Sequence, residues 1–268
     1  MIGFFDSGLG GLTVIRDVLK KLPKYDTIYL GDTARTPYGN RSMDVVYRFT
    51  QQAVDFLFAQ GCELVIVACS TASAEALRKI QQEHLPKKHP DKKVLGVIRP
   101  LVEKAAEVSK GKVGVIGTRG TIASEAYVKE LAEQNSKLEV LQKACPLLVP
   151  LVEDGMASKP ETTKIIRGYL RELKAWRPDT LILGCTHYPM LAKQIKNVMG
   201  QNCNILDSGK IVAESLAEYL ERHPEIEKKL KKGDVHKWLV TDKTERFAHL
   251  AEKWLGRKVD LEQVNLEA

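Results

Sequence analysis

Short apolar runs, each closed by glycine or by small hydroxylated residues, alternate with longer stretches of helical spacing along this chain. Strands buried on both faces read as continuous apolar runs, and parallel neighbours need a helical crossover between them. The alternation therefore predicts an α/β protein built on parallel sheets with helices on their faces. Strands are expected over 1–5, 27–30, 64–69, 94–97, 112–116, 138–141, 180–185, 204–206 and 237–240. Helices are expected over 12–22, 42–60, 71–83, 101–109, 124–135, 162–174, 190–199, 210–222 and 244–255, with Ser42 as an N-cap. The pattern also begins twice. Residues 2–10 resemble 113–121, and 65–71 resemble 181–187, at offsets of 111 and 116 positions. With 268 residues there is room for two modest domains. An ordered pair of matches predicts two similar units about a pseudo-two-fold axis, with a cleft lined by equivalent loops.

In open parallel sheets ligands bind at the carboxyl ends of the strands. Cys69 and Cys185 end apolar runs at matching places in the two halves. Free cysteine is among the most buried residue types, so one at a strand end reads as packing. Two at equivalent positions do not. Each precedes a helix start, where backbone N–H groups and the dipole favour a thiolate. Asp6, at the end of the first strand, and His187, two residues after Cys185, can supply charge or take a proton. Two thiols facing across a carbon acid can invert its stereocentre, one removing a proton and the other delivering one. The loop Asp6-Ser7-Gly8-Leu9-Gly10-Gly11 offers backbone N–H groups to an anion. It lacks the third glycine of a dinucleotide fingerprint. Pro37-Tyr38-Gly39 reads as a wall of the site, and Thr71, Thr118, Thr121 and Thr186 as hydroxyl donors to a carboxylate.

Other classes are excluded on simple grounds. The longest apolar run, 64–69, is far short of the about 20 residues a span needs. The N-terminus has no basic n-region or long apolar stretch, so neither a signal peptide nor an N-terminal extension is expected. Net charge is +7, concentrated in 87–93 and 228–232, which read as solvated loops or helix ends. No nucleic-acid reader motif accompanies them. The five cysteines are odd in number with no C-x-x-C pair, unlike a disulfide framework or a zinc site. Free thiols in a reducing cytoplasm are expected, with Cys62, Cys145 and Cys203 structural.

The segments FDSGLGGLTV (5–14), YLGDTARTPYGNRS (29–42), VACSTASA (67–74), CPLLVPLVEDG (145–155), LGCTHYPML (183–191) and VTDKTERFAHLAEKWLG (240–256) resemble the glutamate racemases of the cofactor-independent aspartate/glutamate racemase superfamily. The resemblance runs in order over nearly the whole chain. It implies interconversion of L- and D-glutamate, supplying D-glutamate for peptidoglycan, with no cofactor and no metal; with the readings above, neither nucleic acid nor membrane is an expected partner. It also implies a cytoplasmic homodimer. The implied fold is two flavodoxin-like domains, one over about 1–95 and 206–268 and one over about 96–205. Cys69 and Cys185 match the catalytic thiols, acting on the D- and L-enantiomer respectively. Asp6 and His187 match the assisting groups. Asp6, Ser7, Tyr38, Gly39, Ser70, Thr71, Thr186 and His187 match substrate contacts, and Glu153 matches an acid near the cleft.

Two positions depart from the family pattern. Ser70 stands where Asn is usual, offering one donor on a shorter side chain. Arg99 stands where an acid is common, at an expected domain crossing. A related racemase or decarboxylase acting on aspartate or a malonate is the alternative. The presence of both thiols favours racemisation, since decarboxylase relatives need one. A third reading, a non-catalytic ligand-binding or DNA-associated protein suggested by the +7 charge and Ser70, would require two thiols without selective reactivity.

Overall fold

The computed structural model describes residues 1–266. Ten strands form: β1 (Ile2–Asp6), β2 (Thr27–Gly31), β3 (Leu64–Val67), β4 (Lys93–Gly96), β5 (Lys112–Gly117), β6 (Glu139–Ala144), β7 (Thr180–Gly184), β8 (Asn204–Leu206), β9 (His236–Val240) and β10 (Leu261–Gln263). They make two sheets, ordered β10-β9-β2-β1-β3-β4 and β6-β5-β7-β8. Every pairing is parallel. The order β2-β1-β3-β4 recurs as β6-β5-β7-β8, so the two halves matched by sequence also match strand for strand. The first sheet is extended beyond β2 by β9 and β10, from the C-terminal part of the chain.

Side chains alternate across each strand, and both faces are covered. Phe4, Tyr29 and Ile66 face the helices Leu12–Lys21, Ser208–Arg222 and Glu245–Leu255. Phe5, Ile28, Leu30 and Val67 face the helix Met43–Ala59 on the other side. In the second sheet Ile116, Leu181 and Leu183 join the same core as Phe4. Val113, Val115 and Ile182 pack with Leu101, Tyr127 and Leu131. The helix Ser208–Arg222 touches both Leu12–Lys21 and Ile98–Val108, so it ties the sheets together. No helix among the described residues is long and apolar enough to cross a membrane.

Several elements differ from the sequence expectation. The helix expected over 71–83 is broken into Ser70–Glu75, Leu77–Lys79, a π-helical turn Ile80–His84 and Leu85–Lys88. Basic residues 87–93 are not simply a solvated loop. Lys88 and His89 hold Asp55, Lys92 pairs with Glu63 at 2.8 Å, and β4 starts at Lys93. The helix Leu148–Glu153 was not foreseen, because Pro150 reads as a breaker; it falls in the first turn, where proline is tolerated. The edge strand β10 is too short and too charged to signal itself. Residues 267–268, within the domain range expected from the resemblance, lie outside the described residues.

Phe4 sits fully buried at the centre of the six-stranded sheet. Phe4→Ala is expected to cost roughly 3–5 kcal/mol of unfolding free energy. Equilibrium denaturation in urea checks this through a lowered midpoint at unchanged slope.

Candidate active site

The loops after β1, β3, β5 and β7 converge, as carboxyl-end loops of parallel strands do. Cys69 follows β3 and caps the helix Ser70–Glu75, with the Ala72 N–H donating to its Sγ at 3.5 Å. Its thiol donates to Ser7 Oγ at 3.3 Å. The helix end and Ser7 favour the thiolate, yet they lose to burial. Burial, reinforced by the Asp6 carboxylate, pushes the Cys69 thiol up to about 12. The sequence expectation of a lowered pKa weighed the dipole without the dehydration that outweighs it here.

Cys185 follows β7, with its Sγ 3.9 Å from His187 Nδ1. His187 Nε2 lies 2.9 Å from Glu153 Oε1. Burial alone would lower the imidazole, but Cys185 and Glu153 on its two sides lift it to about 10. The ring therefore carries charge at neutral pH. Burial acts to raise Glu153, and His187 and Arg246 outweigh it, holding the carboxyl below its usual range. Asp6 is fully buried between these groups. It accepts from the Gly8 N–H at 2.9 Å and the Thr186 hydroxyl at 3.4 Å. Burial pushes it up, against the charge of His187 and the N–H groups of Gly8 and Gly11.

The two sets of loops approach closely. A Cβ on Gly10 would collide with Thr186 Oγ1 and the His187 ring, so only glycine lets the first loop reach the second. Thr13 Oγ1 donates to the Thr186 carbonyl at 3.0 Å. Thr71 lies 2.9 Å from Thr118 and 3.2 Å from Thr121, and these two lie 3.0 Å apart, a triangle of hydroxyls joining the two halves. Gly39 abuts Thr118 in the same way that Gly10 abuts Thr186. Ser70 and Tyr127 are both buried, and their hydroxyls lie close enough to act on each other. Tyr127 feels both Ser70 and Cys185, which places it between the two cysteines' surroundings.

The structure thus brings together Asp6, Ser7, Cys69, Ser70, Thr71, Thr118, Thr121, Cys185, Thr186, His187 and Glu153. Tyr38 and Gly39 stand at the margin, and Pro37 is exposed. Cys62, Cys145 and Cys203 are free and buried, in keeping with packing roles. Three contributors were missed. Asp32 is fully buried and holds the Tyr38 hydroxyl, Arg35 at 2.7 Å and Thr241 at 2.8 Å. Trp254 meets the His187 ring edge-on at 5.5 Å. Tyr127 is the third. Asp32 stood inside a quoted motif, whereas Trp254 and Tyr127 read only as helix core. A cavity of about 610 Å³ lies elsewhere, against Ser73, Glu75, Arg99 and Tyr219, and includes neither thiol. At the convergent loops Cys69 and Cys185 are only 5% and 6% exposed, so the site is closed.

Two buried thiols with ionisable neighbours thus stand at matching strand ends of a duplicated α/β scaffold. Residues 11–216 match the Asp/Glu/Hydantoin racemase family, and the chain belongs to it. It is 43% identical over 270 residues to a glutamate racemase of Geobacter metallireducens, covering all of this chain and 97% of that one. Among solved structures it is similar to a glutamate racemase of Bacillus anthracis, with TM-score 0.91 and 38% identity over 99% of this chain and 97% of the other. A glutamate racemase of Francisella tularensis in complex with D-glutamate matches with TM-score 0.90 and 32% identity over the same shares.

The His187–Glu153 pair sets a pH dependence. Because the folded pKa of His187 is raised, its stabilisation is full below the unfolded value of about 6.5 and is lost as pH rises through about 10. Glu153→Gln is expected to lower stability by about 2 kcal/mol near pH 6. The deficit relative to the unaltered chain should shrink to nothing above pH 10, as thermal melts across that range will show. Gly10→Ala should cut turnover more than stability, since it bars the two halves from closing; paired rate and melting measurements distinguish these.

Proposed function

We infer that this chain interconverts L- and D-glutamate by direct proton transfer at Cα, as a cofactor-independent racemase supplying D-glutamate for peptidoglycan synthesis. The observation that carries this reading is the pair Cys69 and Cys185, at equivalent strand ends of a twice-used strand order. The likeness to glutamate racemases over the full chain supports the substrate. So does the D-glutamate named with one similar structure.

In this reading the substrate Cα lies between the thiols. One cysteine, as thiolate, takes the α-proton from one face, and the other, as thiol, returns a proton to the opposite face. By family analogy Cys69 acts on D-glutamate and Cys185 on L-glutamate. The imidazolium of His187 beside Cys185 steadies negative charge there as it develops, and Glu153 keeps that charge in place. Asp6 reaches both halves of the site, close enough to raise Cys69 and to feel His187. The hydroxyls of Ser7, Ser70, Thr71 and Thr186, with the backbone at Gly39, are the proposed carboxylate and ammonium contacts. Tyr38 holds that backbone through Asp32. Thr118 and Thr121 act by positioning Thr71. Where the family's Asn would reach a carboxylate directly, Ser70 reaches it through a water.

The division into units over about 1–95 with 206–268 and over about 96–205 belongs to this reading. Sheet membership and the crossing near Val97 support it. Burial of both thiols requires the units to part for substrate to enter and to close for chemistry. The family resemblance supports a cytoplasmic homodimer.

Cys69→Ser and Cys185→Ser should each lower racemisation in both directions by about 10²–10⁴-fold, the span of a positioned acid or base. Coupled assays of D-glutamate formed from L-glutamate, and the reverse, check this. Unimpaired turnover in either variant would contradict the two-thiol scheme.

A further inference from the structure

Away from the cleft, three side chains converge that the reaction does not use. Asp55 comes from the helix Met43–Ala59, His84 from the end of the π-helical turn, and His89 from just beyond Leu85–Lys88. Asp55 Oδ1 lies 2.7 Å from His84 Nε2 and 2.8 Å from His89 Nε2, so both imidazoles aim the same nitrogen at one oxygen. The three ligand atoms all fall within 4.8 Å of one another. Their side chains are 20%, 9% and 20% exposed, respectively for Asp55, His84 and His89, so the group is sheltered yet reachable. From these residues we propose a divalent-cation site of the imidazole-seeking class, exemplified by Zn²⁺, held by Asp55 Oδ1, His84 Nε2 and His89 Nε2, with water completing the shell.

The donor set suits such an ion, since two neutral imidazoles and a carboxylate are ordinary ligands for it. Tetrahedral ligation at bond lengths of about 2.0–2.2 Å would set the ligand atoms about 3.4 Å apart, which moves Asp55 Oδ1 away from each histidine nitrogen by roughly 0.6 Å. Outer partners are already in place. Gln51 Nε2 lies 3.1 Å from His84 Nδ1; on metal binding the carboxamide would have to turn over so that its oxygen accepts the Nδ1 N–H and Nε2 is bared. Lys88 Nζ holds Asp55 Oδ2 at 2.8 Å, which leaves Oδ1 for the ion. The Phe58 ring, 4.8 Å from the ring of His89, limits how far that imidazole can swing. The site would clip the long helix to the irregular segment 80–89. It would therefore stabilise the fold without touching the thiols.

The test is isothermal titration with Zn²⁺ of the full chain carrying no histidine tag, beside His89→Ala and Lys88→Met. His89 is partly exposed, so its removal should leave the fold and glutamate racemisation unchanged. The unaltered chain is expected to bind one Zn²⁺ at this site. Binding should weaken at least tenfold in His89→Ala and tighten in Lys88→Met, where a neighbouring positive charge is removed. No binding by the unaltered chain would overturn the proposal. Equal affinities for the chain and His89→Ala would also overturn it, placing any zinc elsewhere.

Discussion

His187 carries a positive charge in a place almost without water, and much of the site depends on how that charge is held. Glu153 grips one ring nitrogen and Cys185 lies beside the other, while Asp6 adds its field from the opposite half. Burying an isolated imidazolium would cost far more than a surface ion pair returns. Glu153, from the same half as His187, repays most of that cost, and Asp6 adds to it from the other half. The Asp6 part couples the charge to contact between the two halves. Thr186 reaching Asp6, and Thr13 reaching Thr186, carry the same coupling by hydrogen bonds.

The two thiols are not equivalent, although the strands that carry them are. Cys69 lies at a helix end yet is pushed up by burial and by Asp6. Cys185 has a charged imidazole as its neighbour. A scaffold duplicated in strand order has thus been given different electrostatic surroundings on its two sides. In the proposed scheme the thiols exchange acid and base roles with the direction of reaction, so each direction begins from a different electrostatic setting.

The parallel sheets, their duplication and the positions of both cysteines were legible because they follow from apolar runs and from what ends them. Glycines 10 and 39 were visible as turn residues, but their real purpose, close approach between loops, needs the three-dimensional crossing. The break in the helix after Cys69 was hidden because its apolar spacing suits a continuous helix, whereas a π-helical turn displaces it. Trp254 and Tyr127 carry no local sign of their place at the site. Each looks like the buried face of a helix until the long-range packing is known. The sign of the Cys69 pKa shift was likewise out of reach, since it depends on a degree of burial that no local pattern reports.

The central claim is that two thiols flank one carbon and move its proton without help from a bound cofactor. Proton NMR of L-glutamate in D₂O with the purified chain and no added cofactor, with chirality followed in parallel, tests it most directly. The account predicts loss of the α-proton signal together with appearance of deuterated D-glutamate. Persistence of the α-proton signal and of L-configuration in the presence of folded protein would contradict it.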